Sequence, residues 1–162
     1  MKVNPNELTE EVIGKAILDS AFKVHTALGP GLLESIYESA LALELGNRGY
    51  HVERQRPIPV FYEGTELDTA FRADLLVEGK VLAELKSVET VTPLFKKITT
   101  NYIRLIPVKL GFLINFNESQ LKNGITRITN GLEGKAFFAS SGHTPTADFS
   151  SSSFPSRSSR DT

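Results

Sequence analysis

The chain has 162 residues, with 18 Lys or Arg, 19 Asp or Glu and a hydrophobic share of 40%. This length and composition are typical of a single globular domain. A net charge of −1 excludes binding of nucleic acid through an overall positive field, so that partner would require a local basic patch or a metal ion. The chain has no Cys and only three His, so a metal would have to bind to carboxylates.

The two ends of the chain differ from its middle. The N-terminal segment MKVNPNELTEE is polar and the apolar runs elsewhere are short, so we expect neither an export signal nor a membrane-spanning helix, and therefore a cytoplasmic protein. Residues 134–162 are rich in Ser, with Phe scattered without a period. This composition predicts a flexible tail, which leaves residues 1–133 as the folded domain.

Two amphipathic helices are predicted near the N-terminus. Apolar residues recur at helical spacing in residues 8–28, and Thr9 and Glu10 suit a first turn. Gly29-Pro30-Gly31 ends this helix, and the helical pattern resumes in residues 32–47.

A period close to two after Tyr50 predicts strands. The segments concerned are residues 51–54, 58–62, 66–71, 70–77 and 81–88, with a turn at Glu63-Gly64. Thr92-Pro93 is typical of a helix start, and Pro107 ends that helix. Its predicted apolar face comprises Leu94 or Phe95, Ile98, Tyr102 and Leu105. The nearly continuous apolar run at residues 109–116 predicts a strand buried on both faces. The resulting order is α-α-β-β-β-β-α-β, an α/β fold.

Charged residues interrupt the two predicted central strands. Arg72 and Asp74 share one face of their strand, and Glu84 and Lys86 share one face of the next, because side chains alternate along a strand. A three-residue loop at 78–80 would pair residue 77 with 81 and therefore place Asp74 opposite Glu84. A two-residue loop would place Asp74 opposite residue 83. Only the longer loop brings the two carboxylates together.

Opposed carboxylates on adjacent strands are close enough to share a hard cation. Directly opposed Cβ atoms lie about 5 Å apart, which suits Mg²⁺ or Mn²⁺. Lys86 then points at the same place, beside a metal-bound water, an arrangement that suits attack on a phosphodiester. The alternative is a surface ion pair on a solvated sheet face, which serves no chemistry.

Several segments of the chain closely resemble the GxxExxY family, a small-protein branch of the PD-(D/E)XK nuclease-like superfamily. The segments are GLLESIY (with Gly31, Glu34 and Tyr37), ERQRPIPVFYEG, FRADLLVEGKVLAELKSVE and LGFLINFN. They occur in the family's order, and the resemblance covers roughly residues 8–133. It implies a restriction-endonuclease-like core, in which helices flank a mixed central β-sheet.

The resemblance also implies roles for individual residues. Asp74 and Glu84 would be metal ligands with the Leu85 carbonyl beside them, Lys86 would orient or activate water, and Glu34 would be the helix-borne acid. The implied function is Mg²⁺-dependent (or Mn²⁺-dependent) phosphodiester hydrolysis of DNA or RNA.

The helix after Thr92 departs from the family. Relatives usually show a His where this chain has Phe95 and a Gln where it has Ile98, four residues before the retained Tyr102. In RecB-like nucleases a similar Gln-x-x-x-Tyr pair lies near the nucleic-acid backbone. Basic residues could contact phosphates instead, although lysines on a helix are more often its solvated face. Besides Tyr102, the candidate substrate contacts are Arg72, Lys96 and Lys97, with Arg104 and Lys109 in addition.

Three hypotheses of function follow. Asp74, Glu84 and Lys86 favour a nuclease, whereas Phe95 and Ile98 favour a binding module for nucleic acid or protein that keeps the fold without full activity. A homodimer joined by apolar helix faces is the third. Other candidates are weaker: His25 is better explained as a histidine at the core edge, and residues 54–56 fit either a cleft lining or a polar strand edge.

Overall fold

In a computed structural model of the chain, residues 4–132 are described. They form three α-helices and five β-strands, with short 3₁₀ turns at Pro5–Glu7 and Leu121–Gly124. In chain order the elements are α1 (Glu10–Leu28), α2 (Glu34–Asn47), β1 (Val52–Tyr62), β2 (Thr65–Val77), β3 (Val81–Lys86), α3 (Pro93–Leu105), β4 (Leu110–Asn115) and β5 (Ile125–Thr129).

The five strands form one mixed sheet in the order β1-β2-β3-β4-β5. Neighbouring strands are antiparallel except β3 and β4, which run parallel and are connected through α3. A parallel pair requires a crossover connection, and α3 provides it. The α/β class and the restriction-endonuclease-like arrangement predicted from the sequence are confirmed.

Helices cover both faces of the sheet. Helices α1 and α2 pack on one face, where the larger core includes Ile13, Tyr37 and Phe112. Helix α3 covers the other face, where Leu76, Leu82 and Ile103 form a smaller core. Every residue of β4 is buried, as expected for a central strand between two helical layers.

The two N-terminal helices begin and end close to the predicted residues. The Thr9 side chain accepts a hydrogen bond from the Val12 N–H at 3.3 Å and caps α1. Gly29 ends α1 with a φ of 68°, a left-handed conformation that glycine adopts without a Cβ penalty.

No helix in residues 4–132 has both the length and the apolar character needed to cross a membrane.

The strand order differs from the prediction in two ways, giving α-α-β-β-β-α-β-β. Three strands precede α3 and not the four predicted, because Val52–Tyr62 forms one strand and Thr65–Val77 another around the Glu63-Gly64 turn. Strand β5 was not predicted. Its sequence ITRIT is short and half polar, and it becomes a strand through antiparallel pairing with β4.

The predicted apolar face of α3 is also wrong by one position. The buried residues are Thr99 and Ile103, whereas Leu94 and Leu105 are exposed. Thr99 can face the sheet because its hydroxyl donates to the Phe95 carbonyl at 2.9 Å, which satisfies the polar group within the helix. The predicted tail at 134–162 lies outside the described residues.

Candidate active site

The two acidic residues of the central strands lie where β2 and β3 stop pairing. The register runs from Val77 opposite Val81 to Leu75 opposite Ala83, which confirms the register expected from a three-residue loop. Asp74 and Glu84 are the next residues along each strand. Their side chains therefore lie beside each other, on the face that α3 covers.

Each carboxylate accepts a backbone N–H of the neighbouring strand. The Asp74 N–H donates to Glu84 Oε1 at 2.8 Å, and the Leu85 N–H donates to Asp74 Oδ2 at 2.8 Å. These bonds continue the connection between the strands after the backbone ladder ends. The two side chains are thus fixed by the strand backbones.

Burial makes this acidic pair electrostatically unusual. Glu84 is only 5% exposed, and burial followed by the nearby Asp74 charge raises the pKa of Glu84 to about 8. Burial is likewise the largest cause that raises the pKa of Asp74, and the Glu38 charge adds to it. Lys86 lowers both pKa values without cancelling the rise. The protein alone therefore does not compensate for the negative charge that both carboxylates would carry when ionised.

Helix α2 contributes the acid Glu38 to this region. The buried Glu38 accepts the Arg54 Nε–H at 3.1 Å through Oε1 and the Gln55 amide at 2.7 Å through Oε2. The same Gln55 Nε2 reaches Asp74 Oδ1 at 3.2 Å. Glu38 is therefore connected to Asp74 through one side chain.

Glu34, the helix-borne acid predicted from the sequence, lies in the first turn of α2. Across the part of the chain that is described, no hydrogen bond or ion pair joins it to Asp74, Glu84 or Lys86. Glu38 lies four residues later and therefore on the same side of the helix. The four-residue spacing was the signal in the sequence that could have pointed to Glu38. The family resemblance implied Glu34.

Lys86 follows Glu84 on the same face of β3. Its Nζ lies 5.0 Å from the centroid of the Phe95 ring, within the range of a cation–π contact. Phe95 therefore gives the ammonium group an aromatic neighbour. Ile98 of α3 is half-buried, and its apolar side chain adds no polar group to the site.

Tyr102 borders the same site from α3. Its ring contacts Phe71 with centroids 5.2 Å apart. Burial raises the pKa of Tyr102, and the charges of Glu84 and Asp74 raise it further, which places its hydroxyl within their field.

The basic candidates predicted from the sequence are exposed. Arg72 is exposed, and its Nη1 donates to the Gln55 carbonyl at 3.4 Å. Lys96 and Lys97 are exposed in the first turns of α3. His25, by contrast, lies away from these residues: its Nε2 is 2.8 Å from the Glu118 carbonyl and its ring lies near Phe116, which supports a structural role.

Asn115 is a buried polar residue that the sequence analysis did not select. Its Oδ1 accepts the Val88 N–H at 3.1 Å and its Nδ2 donates to the Val88 carbonyl at 2.9 Å. The side chain thus imitates a strand partner for the segment after Lys86. It holds that segment in place beside the site.

The donor set of Asp74 and Glu84 fits a divalent cation. Both supply hard oxygen ligands. The pKa of both carboxyl groups is raised, and a bound cation would lower it. Within residues 4–132 no group of three or more His, Cys, Asp or Glu side chains is arranged to hold a metal. Mg²⁺ commonly binds through one or two carboxylates and retains several waters, so two carboxylates suffice.

A mixed sheet between helical layers, with a half-buried acid beside a buried one and a Lys two residues after the second acid, defines a nuclease-like α/β protein. The profile of the PD-(D/E)XK nuclease superfamily matches residues 11–128. The chain therefore belongs to the PD-(D/E)XK nuclease superfamily, whose nucleases generally use divalent metals.

Two further comparisons add little. Comparison with curated proteins gave no match. Among solved structures, the crystal structure of SSO0001 is similar at a TM-score of 0.46 with 20% sequence identity, over 76% of this chain and 61% of that chain. The chain thus spans about three-fifths of the length of SSO0001.

Proposed function

We propose that the protein is a divalent-metal-dependent nuclease of the GxxExxY family that hydrolyses phosphodiester bonds of DNA or RNA. The observation that carries the proposal is the Asp74–Glu84 pair, in which Glu84 is buried, Asp74 is half-buried and each carboxylate is fixed by a backbone N–H of the opposite strand. Two adjacent acids that are largely withdrawn from water cost stability unless a cation neutralises them.

The residues of the site divide into three tasks. Asp74 and Glu84, with the Leu85 carbonyl, would hold Mg²⁺ or Mn²⁺. The bound ion would supply Lewis-acid stabilisation of a phosphoryl oxygen and lower the pKa of a coordinated water. Lys86 would orient that water, since it shares the face of Glu84. The acid contributed by α2 is Glu38 in this proposal, because Glu38 rather than Glu34 is connected to Asp74.

Exposed side chains around the pair would contact the nucleic acid. Arg72 from β2 and Lys96 and Lys97 from α3 supply positive charge for phosphates, and Tyr102 adds a hydroxyl beside the acids. Because the net charge of the chain is −1, this local group of basic residues has to supply the attraction.

A cleavage assay tests the proposal. The full chain is incubated with single- and double-stranded DNA and RNA oligonucleotides, with Mg²⁺ or Mn²⁺ or with EDTA. We expect metal-dependent cleavage that Asp74→Ala abolishes. Asp68→Ala is the matched control, because Asp68 is an exposed acid on the same strand. Absence of cleavage together with absence of metal binding by the wild type would overturn the nuclease.

The residues Phe95 and Ile98 favour a second candidate, a nucleic-acid-binding module that keeps the nuclease fold. They replace the polar residues expected at these positions of α3, and Phe95 contacts the Lys86 ammonium group. The module predicts oligonucleotide binding with the same affinity in EDTA and in Mg²⁺, and no cleavage. Fluorescence anisotropy with labelled oligonucleotides distinguishes the two candidates.

A further inference from the structure

We propose that Gln55 is a positioning residue of the metal site, which acts by holding the Asp74 carboxylate through an amide bridge to Glu38. The inference rests on the proposed function and extends it to a residue that contributes no metal ligand. The bridge consists of Glu38, Gln55 and Asp74, with Gln55 Nε2 at 2.7 Å from Glu38 Oε2 and 3.2 Å from Asp74 Oδ1.

The backbone of Gln55 shows that its position is unusual. Its φ is 50°, in the left-handed region that residues other than glycine and asparagine rarely adopt. The neighbouring pairs Arg54–Leu75 and Arg56–Ala73 keep a regular register, so Gln55 lies across from Asp74 on the adjacent strand. Such a conformation costs free energy and persists where surrounding contacts compensate for it. Arg72 supplies one of these contacts through the Gln55 carbonyl.

The Asp74 carboxylate is held at both of its oxygens. The Leu85 N–H fixes Oδ2 at 2.8 Å, and the Gln55 amide is the partner of Oδ1. Without the amide, the Asp74 carboxylate would be held only by the hydrogen bond from the Leu85 N–H to Oδ2, and it would be free to pivot about that one contact. A metal ligand that has to be ordered on binding binds more weakly than one already fixed.

Glu38 acts through Gln55 in this arrangement. The Glu38 carboxylate is buried and accepts both Arg54 and Gln55, so its position is determined and it orients the Gln55 amide. The neutral amide also donates to two carboxylates that repel each other, and so holds them in place. The structure thus assigns Glu38 to the support of Asp74 and not to the ion itself.

Calorimetric titration of the full chain with MnCl₂ tests the role of Gln55. We expect Gln55→Asn and Gln55→Gly to bind Mn²⁺ about 10- to 100-fold more weakly than the wild type. Both substitutions suit the left-handed backbone, so the fold is retained, and Asn keeps an amide that is one methylene too short to reach both carboxylates. Gln120→Asn, at an exposed glutamine just before the Leu121–Gly124 turn, should bind Mn²⁺ like the wild type.

Variants of Glu38 test the direction of the bridge. Glu38→Gln can still accept the Gln55 amide and should keep wild-type affinity, whereas Glu38→Ala should weaken Mn²⁺ binding to the level of Gln55→Gly. The double variant Glu38→Ala/Gln55→Gly should be no weaker than Gln55→Gly alone. Equal losses in Glu38→Gln and Glu38→Ala, with additive losses in the double variant, would make Glu38 a direct ligand and overturn the assignment.

The outcomes separate this inference from the proposed function. A wild type that binds Mn²⁺, with Gln55→Asn and Gln55→Gly that are folded by circular dichroism and bind equally well, refutes the role of Gln55 and leaves the nuclease intact. A wild type that binds no Mn²⁺ refutes both.

Discussion

At the scale of single residues, Glu84 has the most consequential environment of the described chain. It lies almost fully buried beside a second acid, and its raised pKa of about 8 means that it holds a proton at neutral pH when no cation is bound. Sites with this property commonly exchange stability for function. Replacing the acid by its neutral amide should therefore stabilise the protein in the absence of metal.

Glu84→Gln tests this trade of stability for function. Because the folded pKa of about 8 lies above the ordinary value of 4.5, the proton binds more tightly to the folded state. The stabilising contribution of Glu84 is complete below pH 4.5 and is lost as pH rises through 8. We expect the free energy of unfolding of Glu84→Gln, relative to that of the wild type, to increase by about 2–3 kcal/mol from pH 5.5 to pH 8.5, at roughly 1.4 kcal/mol per pKa unit. Urea unfolding in EDTA measures the difference, and a gap independent of pH would contradict it.

Lys86→Ala separates water activation from metal binding. The Lys86 ammonium group lies over the Phe95 ring and is proposed to act on water, so its loss should leave Mn²⁺ affinity within about threefold while lowering kcat by about 10²–10⁴-fold. Calorimetry and a cleavage assay measure the two effects. Lys15→Ala, at an exposed ion pair on α1, is the control. Equal losses of binding and rate would place Lys86 among the residues that shape the metal site.

At the scale of elements, the site depends on close packing of α3 against the sheet. Gly111 of β4 lies directly beneath Ile103 of α3, and a Cβ there would approach Ile103 Cγ2 to 2.7 Å. The close approach keeps α3, with Phe95 and Tyr102, near the carboxylates of β2 and β3. A side chain at position 111 would therefore push the helix away from the sheet.

Gly111→Ala should destabilise the fold by about 1–3 kcal/mol through overpacking. Gly46→Ala is the matched control, because nothing lies within 4 Å of a Cβ at this position of α2. Alanine is the better helix former, so this control should gain up to about 1 kcal/mol. Thermal unfolding of both variants measures the effect, and equal stability at position 111 would show that α3 shifts without cost.

At the scale of the whole molecule, the described residues form two cores. The buried members of these cores lie between Leu8 and Leu121, and Leu132 packs at the edge of the larger one. The superfamily match ends at residue 128 and thus also lies within the described residues. The candidate site therefore lies within the range that the superfamily profile matches.

We propose that residues 134–162 are dispensable for stability. Their removal should change the free energy of unfolding by less than about 0.5 kcal/mol, the range usual for changes outside a packed core. Urea unfolding of the truncated chain beside the full chain measures this. A larger loss would indicate that one of Phe137, Phe138, Phe149 and Phe154 docks on the domain.

The sequence by itself determined the local features and the central pair of acids. Capping residues and glycines marked the helices α1 and α2. The alternation of β2 and β3, with a three-residue loop between them, was sufficient to place Asp74 beside Glu84. These features depend on contacts between residues close in the chain, where period and loop length specify geometry.

Only the tertiary structure decided the rest of the site. Glu38, Gln55 and Asp74 belong to three elements, and the hydrogen bonds that connect them depend on how α2 packs against β1. Likewise, β5 exists through its pairing with β4, and the buried face of α3 is set by the sheet beneath it. The periodicity of one segment shows that it has a buried face but does not specify which elements cover it, because packing angle and rotation depend on all the elements together.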